Sequence, residues 1–472
     1  MNAKLTSIEL NASPVSRFRP LLDDDAWRDF ESAMRELAAG LRGRVLWNIN
    51  STAQGGGVAE LLASLIPYGR DAGVDERWLV IEGSPAFFAV TKRIHTLLHG
   101  VPSEGSEISP DERREYEQTL ARNAAALVEV VRPGDVVIIH DPQAAGLVPP
   151  LTDHGSHVIW RSHVGVDRPN DVARAAWNVL RPYLDRASAL VFSRQSYVWE
   201  GLDPARVHII APTIDPFSVK NQDLGDDTVK GVLQASGIVQ GSGGNASFKR
   251  PDGSSVSVKR EARLCGNSLP QDARIVAQVS RWDALKDPVG VMKAFAEHIG
   301  PRSDSWLVLA GPGAQSVRDD PEQPEVLRDV IAQREHLEPG IRERIQIAQL
   351  PMDDVDENAA IVNGLQRRAD IIVQKSLAEG FGLTVAEAMW KARPVVASRV
   401  GGIQDQIEDG KSGLLVDDPT DLQELGDKVV RLLDDRPEAS SLGDEARRRA
   451  ITHFIAPRHL TQQAQLVLSI ID

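Results

Sequence analysis

Short apolar runs recur along this chain, each followed by a polar loop and then by apolar positions at helical spacing. Runs of this kind, bounded by turn residues, read as strands buried on both faces. In the first half the pattern predicts strands at Arg44–Asn50, Trp78–Ile81, Asp135–His140, His157–Trp160, Ala189–Phe192 and Val207–Ile210. Helices are predicted at Asp24–Gly40, around Trp27, Phe30, Met34 and Leu37, and at Val58–Ala72, Pro85–Leu98 and Asp111–Val131. In the second half the strands are Arg274–Ser280, Trp306–Ala310, Ile345–Ala348, Ile371–Val373, Val395–Ala397 and Gly413–Val416. Helices are expected at Glu357–Arg368, from near Thr384, at Asp421–Leu433 and at Arg458–Ile471. Such alternation is βα repetition, hence an α/β fold of two doubly wound, Rossmann-like domains with parallel sheets.

The rhythm breaks in two places. Prolines cluster at Pro212–Pro216, and residues 221–265 include a Gly/Ser-rich stretch and a hairpin pattern turning at Asp252-Gly253. The expected division is therefore 1–216, 217–455 with a mobile surface insertion at 221–265, and 456–472 as a C-terminal helix able to cross back to the first domain. Residues 1–25 read as an arm. A length of 472 residues supports two domains rather than one core.

Composition narrows the partners. A net charge of −14 argues against nucleic acid or an anionic membrane as a general partner. The single cysteine, Cys265, leaves no internal disulfide or cysteine-rich metal site and suits a reducing cytoplasm. The opening residues lack the apolar core of a signal peptide, and no apolar run approaches the ~18 residues of a membrane span.

Candidate chemistry collects in loops that follow strands, where doubly wound sheets bind ligands. Gly55–Gly57 follows the first strand and opens a helix. Asp141–Gln143, Arg161–Gly165, Arg281–Lys286 and Gly311–Gly313 follow later strands. The stretch Gln374–Gly402 is the richest, with Glu379, Gly380, Phe381, Gly382, Leu383 and Glu387 spanning a strand–loop–helix junction. Glycines there let backbone N–H groups approach a ligand, and a helix N-terminus favours an anion. A carboxylate beside it can accept hydrogen bonds from sugar hydroxyls. Thr384-Val-Ala-Glu387 equally spells a capping box, in which Glu387 serves only its own helix. Arg281 and Lys286 form a candidate pyrophosphate clamp, a guanidinium fork beside a movable ammonium. No DxD sequence lies at the site, so no metal is expected to be required.

The second half resembles the retaining glycosyltransferases of family 4, which have the GT-B architecture, in Glu379…Glu387, Arg281…Lys286, Gly311-Pro-Gly313 and Gly401-Gly402. The first half is similar to the trehalose glycosyltransferring synthases and trehalose phosphorylases within that family. The similarity lies in Leu46–Glu60, Ile81-Glu-Gly83, Phe87-Phe88, Thr91-Lys92, His95 and Trp160–His163. The resemblance implies two domains facing across a cleft. It implies a reversible, retaining transfer of glucose from a nucleoside diphosphate glucose to free glucose, giving trehalose. The alternatives are a trehalose phosphorylase, another family 4 sugar transferase, or a silent nucleotide-sugar-binding regulator. By the same resemblance Glu387 holds ribose hydroxyls and Glu379 the donor glucose. His163 lies beside the reacting carbon, with Arg281, Lys286 and Glu379 as its catalytic companions. Gly56, Gly57, Gly311 and Gly380–Leu383 line the nucleotide sugar, and Asp141, Gln143, Arg161 and Lys92 the acceptor. A homodimer is the assembly it implies.

Overall fold

The computed structural model describes residues 3–53, 56–102, 107–313 and 322–471. Gln54 and Gly55 of the triple-glycine loop lie outside the described residues. The chain forms two compact units, Met1–Thr213 with Phe454–Asp472, and Ile214–His453.

In the first unit, seven strands lie in the order Thr6–Ile8, Glu76–Val80, Leu46–Asn50, Val136–His140, His157–Ser162, Ala189–Phe192 and Val207–Ile209. All neighbours are parallel except the Thr6–Ile8 edge, which runs antiparallel to Glu76–Val80. That edge strand lies in the segment expected to be an arm. Its three residues lack any apolar run, so pairing rather than pattern defines it. The order reverses between Leu46–Asn50 and Val136–His140. Chains leaving such a reversal diverge to opposite faces and open a crevice at the strand carboxyl ends. Trp160, Phe192, Trp177 and Trp199 pack edge to face and stacked within the core of this unit.

The second unit repeats the plan. Its sheet runs Arg263–Cys265, Ile345–Leu350, Trp306–Pro312, Ile275–Val279, Ile371–Gln374, Val395–Ser398 and Leu414–Val416, with only the first edge antiparallel. Here the reversal falls between Ile275–Val279 and Ile371–Gln374. The strand expected to stop at Ala310 continues through Pro312, so Gly311 is a strand residue paired with Gln349.

The stretch read as a mobile insertion is built into this unit. Asn221 is buried, and its side chain and carbonyl accept from Lys391 Nζ (2.7 Å) and Trp390 Nε1 (2.9 Å). Helix Asp226–Ala235 packs on helix Val355–Arg368. Strands Ser247–Lys249 and Ser255–Ser257 form the expected hairpin, tied down by ion pairs from Arg250 to Asp354 and Asp356. Helix Asp226–Ala235 buries Val229, Val232 and Leu233, and Phe248 of the hairpin is buried too, so a short apolar face and these polar bonds anchor the segment together.

The final helix, Ala456–Ile471, belongs to the first unit and packs on helix Asp24–Gly40. Gly40 permits the approach, since a Cβ there would lie 2.6 Å from Leu468 Cδ2.

Candidate functional site

Each unit gathers its chemistry at its own sheet reversal. In the second, two loops leave adjacent strands and are laced together. Leu377 N donates to Leu285 O (2.8 Å), Lys286 Nζ pairs with Glu379, and Lys375 Nζ pairs with Asp287. Gln278 Nε2 donates to Lys286 O (2.8 Å), which fixes the loop that carries the lysine. Ser376 Oγ lies 3.3 Å from Glu379 Oε2. Arg281 is half-exposed, with Asp283 3.3 Å away. Lys375 is 1% exposed, a depth at which an ammonium needs a partner, and Asp287 supplies it. Asp287 adopts a left-handed φ of 45° while its carboxylate caps Gly290 N at 2.9 Å. Strain of this kind persists only where surrounding contacts over-determine it.

Helix Leu383–Trp390 opens two residues earlier than the capping box requires. Its N-cap is Gly382, whose φ of 84° favours glycine, and Thr384 lies inside the helix with its hydroxyl on Gln374 Oε1 (3.0 Å). Glu387 is 2% exposed; its carboxylate accepts from Gln366 Nε2 (3.0 Å) and lies 3.4 Å from Lys220 Nζ. The capping reading therefore fails, because the carboxylate points to other elements. The Gly380–Gly382 backbone is braced from behind by Gly402 N on Gly380 O (3.0 Å) and Gln406 Nε2 on Phe381 O (2.5 Å). Gly311 is packed rather than open, since a Cβ there would meet Ser280 O at 2.6 Å and the Trp282 ring at 2.8 Å.

In the first unit the reversal lies between the strand ending at Asn50 and the one ending at His140. Gly56 caps helix Gly57–Asp71 with ordinary extended dihedrals, and a Cβ there would meet nothing within 4 Å. Neither packing nor dihedral demands glycine at that point. Asp141 holds a φ of 63° immediately after its strand, and its Oδ1 accepts from His163 N (2.7 Å). Trp160 Nε1 donates to Asp141 O (3.1 Å), so the strained turn is clamped from both sides.

Behind His163 runs a buried polar chain that the sequence reading missed. Asn48 Nδ2 donates to Glu76 Oε1 (2.8 Å), which turns Asn48 Oδ1 toward His140 Nε2 (3.1 Å). His140 thus carries its proton on Nε2 and presents Nδ1 to His163 Nε2 (3.2 Å), which must be the donor. The two rings lie 5.5 Å apart and nearly parallel, at 18°. Burial, with Arg161 adding to it, lowers His140 to about 3. Burial, then Arg161 and His140, hold His163 well below the ordinary imidazole range. Both imidazoles are therefore neutral, with defined tautomers. The available signal was two asparagines, Asn48 and Asn50, inside a strand whose five residues are all buried.

Arg161 is engaged from below. Its Nη1 donates to His459 Nε2 (2.7 Å) on the C-terminal helix and its Nη2 to Ile210 O (3.1 Å). Burial, then Arg458, pull its guanidinium down to about 9, while Asp141 opposes them. Asp141 itself is pushed up to about 7 by burial, against the His163 N–H and Arg161. Gln143 is half-buried in the short helix Asp141–Ala144. Lys92 is exposed on helix Pro85–Leu98, and no hydrogen bond or ion pair among the described residues joins it to Asp141 or His163. Among the described residues no group of three or more His, Cys, Asp or Glu is arranged to hold a metal ion.

Two units, each with a mostly parallel sheet of this order, have the GT-B glycosyltransferase fold. Residues 48–199 match the family described as trehalose synthase, N-terminal domain, and residues 265–449 that described as glycosyl transferases group 1. The chain is 34% identical to the trehalose synthase of Rubrobacter xylanophilus over 93% of its own length and 94% of that protein. It is 28% identical to the trehalose phosphorylase of Pleurotus sajor-caju over 78% of its length, covering 50% of that protein. Among solved structures, Anabaena HepE in complex with UDP superposes with a TM-score of 0.62 at 17% identity, over 90% of this chain and 100% of that one. The chain is a glycosyltransferase enzyme. Within that class it belongs to the trehalose synthase family.

If Glu387 holds ribose hydroxyls, as the resemblance implies, Glu387→Gln is expected to weaken nucleoside diphosphate binding about tenfold or more while leaving the helix start intact, because a hydrogen bond to a charged group is worth ~1.5–3 kcal/mol. Titration calorimetry beside thermal melts checks this; unchanged affinity with a lower melting temperature would show a structural carboxylate.

Proposed function

We propose that this protein transfers glucose from a nucleoside diphosphate glucose to the anomeric hydroxyl of free glucose, with retention, giving trehalose reversibly. The observation that carries the reading is the Lys286–Glu379 pair at the reversal of the second sheet. One loop there offers cations for a pyrophosphate and the adjacent loop a carboxylate for sugar hydroxyls, beside the N–H groups of helix Leu383–Trp390. In this reading Arg281 and Lys286 stabilise the charge that grows on the leaving diphosphate, which is largest in the transition state. Glu379 holds the donor glucose and Glu387 the ribose. The neutral, oriented imidazole of His163 and the carboxylate of Asp141 serve the acceptor side. An α,α-linked product requires the acceptor to be held as its α anomer, which suits a rigid pocket rather than an open surface. The leaving phosphate takes the acceptor's proton, so bond breaking and proton transfer occur on one face of the sugar. No metal is assigned a role in this scheme.

The test is incubation of the protein with UDP-, ADP- and GDP-glucose, each with glucose, in excess chelator, with products read by proton NMR. Expected are α,α-trehalose and free nucleoside diphosphate, with nucleotide-glucose regenerated from trehalose and the diphosphate. Restoration of activity only by added magnesium or manganese would place a cation where Arg281 and Lys286 are assigned. The second reading is a phosphorylase, favoured by the Pleurotus similarity. It predicts glucose 1-phosphate from trehalose and phosphate, with no turnover on any nucleotide.

A further inference from the structure

At the opposite, amino-terminal ends of the first sheet's strands lies a cavity of about 850 Å³. Helix Asp24–Gly40 ends on one side of it, and the turns entering strands Leu46–Asn50, Glu76–Val80 and Val136–His140 form the rest. Arg35, Arg42, Arg44, Arg77 and Arg132 line it against a single acidic residue, Asp75. On a chain of net charge −14 such a concentration of one sign runs against the composition.

The nearby carboxylates are already committed. Asp75 holds Arg77 through two bonds of 2.8 Å, and that guanidinium lies 5.3 Å over the Trp47 ring. Asp135 accepts from Val45 N (2.9 Å), Trp47 Nε1 (3.0 Å) and Arg132 N (3.0 Å), and lies 3.4 Å from the Arg132 guanidinium. Arg35, Arg42 and Arg44 form no ion pair among the described residues. Arg44 Nη1 is buried without any hydrogen-bond partner, a donor whose desolvation is uncompensated. A cation near a helix C-terminus is favourable by itself, which accounts for Arg35 and Arg42 singly. It does not account for the buried, unpartnered donor of Arg44, nor for five guanidiniums around one cavity.

We propose that this cavity is a second ligand site, separate from the sugar-transfer chemistry, for a small molecule bearing a diphosphate group. Three unpaired guanidiniums match two to four negative charges, and forked N–H donors fit phosphate oxygens. The volume lies within the range of small-ligand sites, about 300–1,000 Å³. Trp47 is 4% exposed under Arg77, so no open aromatic face is offered to a base, and recognition rests on the phosphates. Free pyrophosphate and nucleoside diphosphates share that chemistry.

Pyrophosphate is the probe, titrated calorimetrically into the full chain carrying Arg281→Ala and Lys286→Ala, which disables the clamp assigned to the donor. Expected is saturable one-to-one binding, tighter than for inorganic phosphate, weakened about tenfold or more by adding Arg42→Ser with Arg44→Ser. Arg35→Ser with Arg42→Ser, both exposed, is the parallel pair that avoids disturbing the fold. ADP in place of pyrophosphate then reads whether a nucleoside adds affinity. Absence of saturable pyrophosphate binding, or binding unchanged in both arginine pairs, overturns the proposal.

Discussion

Lys286→Ala is expected to lower turnover about a hundredfold or more, and Arg281→Ala to do the same, because in the proposed mechanism each removes a donor aimed at charge that develops during reaction. The effect should appear in kcat rather than in donor affinity alone, since a clamp that stabilised ground and transition states equally would change only binding. Both side chains follow the strand Ile275–Val279 and lie outside the apolar core, so melting temperatures should stay near the parent's. Lys286→Ala leaves Glu379 with Ser376 Oγ at 3.3 Å, a lesser partner in a half-buried setting. A modest loss of stability is therefore admissible; a modest loss of turnover is not. Steady-state kinetics on a nucleoside diphosphate glucose, run beside thermal melts, separates the two. Near-normal turnover in either variant would remove that residue from the clamp. Lys375 is a useful contrast. It lies one strand over, but its ammonium is bound inward to Asp287, so its substitution should act through folding rather than through kcat alone.

How much of this was legible follows from what kind of signal each element leaves. Strands buried on both faces announce themselves as apolar runs, and Asp24–Gly40, Pro85–Leu98 and Ala189–Phe192 have the bounds their patterns predict. Helix Arg436–His453 left no such mark, because it buries Leu442, Gly443, Ala446 and Ala450, and small residues make a faint stripe. Edge strands Thr6–Ile8 and Arg263–Cys265 are short and polar, and only their partners define them. At the site, loop positions at strand ends were readable because topology dictates where ligands bind. Partners were not. Glu387 fits a capping box in sequence, and only the position of Gly382 as N-cap shows that its carboxylate turns toward Gln366 and Lys220. The chain Glu76–Asn48–His140–His163 joins four segments through side-chain bonds that no spacing encodes. His459 lies nearly 300 residues from Arg161, at a sequence separation of 298, and meets it because the last helix folds onto the first unit.

Asp141→Asn should move activity and stability in opposite directions. Asn preserves the acceptor for His163 N and tolerates the left-handed φ of 63°, so the turn is expected to survive. What is lost is the negative charge. Burial raises the Asp141 carboxyl from 3.8 to about 7, so folding opposes its ionisation. With the folded value above the unfolded one, the contribution to stability is complete below the ordinary carboxyl range and is lost as pH rises through about 7. The asparagine variant, having no proton to lose, should melt higher than the parent at pH 8 and show no such advantage at pH 4. If the ionised carboxylate holds the acceptor sugar, kcat/KM for glucose should fall about ten- to a hundredfold, the worth of a hydrogen bond to a charged group at ~1.5–3 kcal/mol. The parent's acceptor kcat/KM should also rise with pH along a limb near 7, and the variant's should not. His163 cannot supply that limb, because burial, Arg161 and His140 keep its imidazole neutral well below it. A limb near 7 that persists in Asp141→Asn would assign the titration elsewhere. A variant as active as its parent would make Asp141 a turn residue alone, its strained backbone serving only to aim His163.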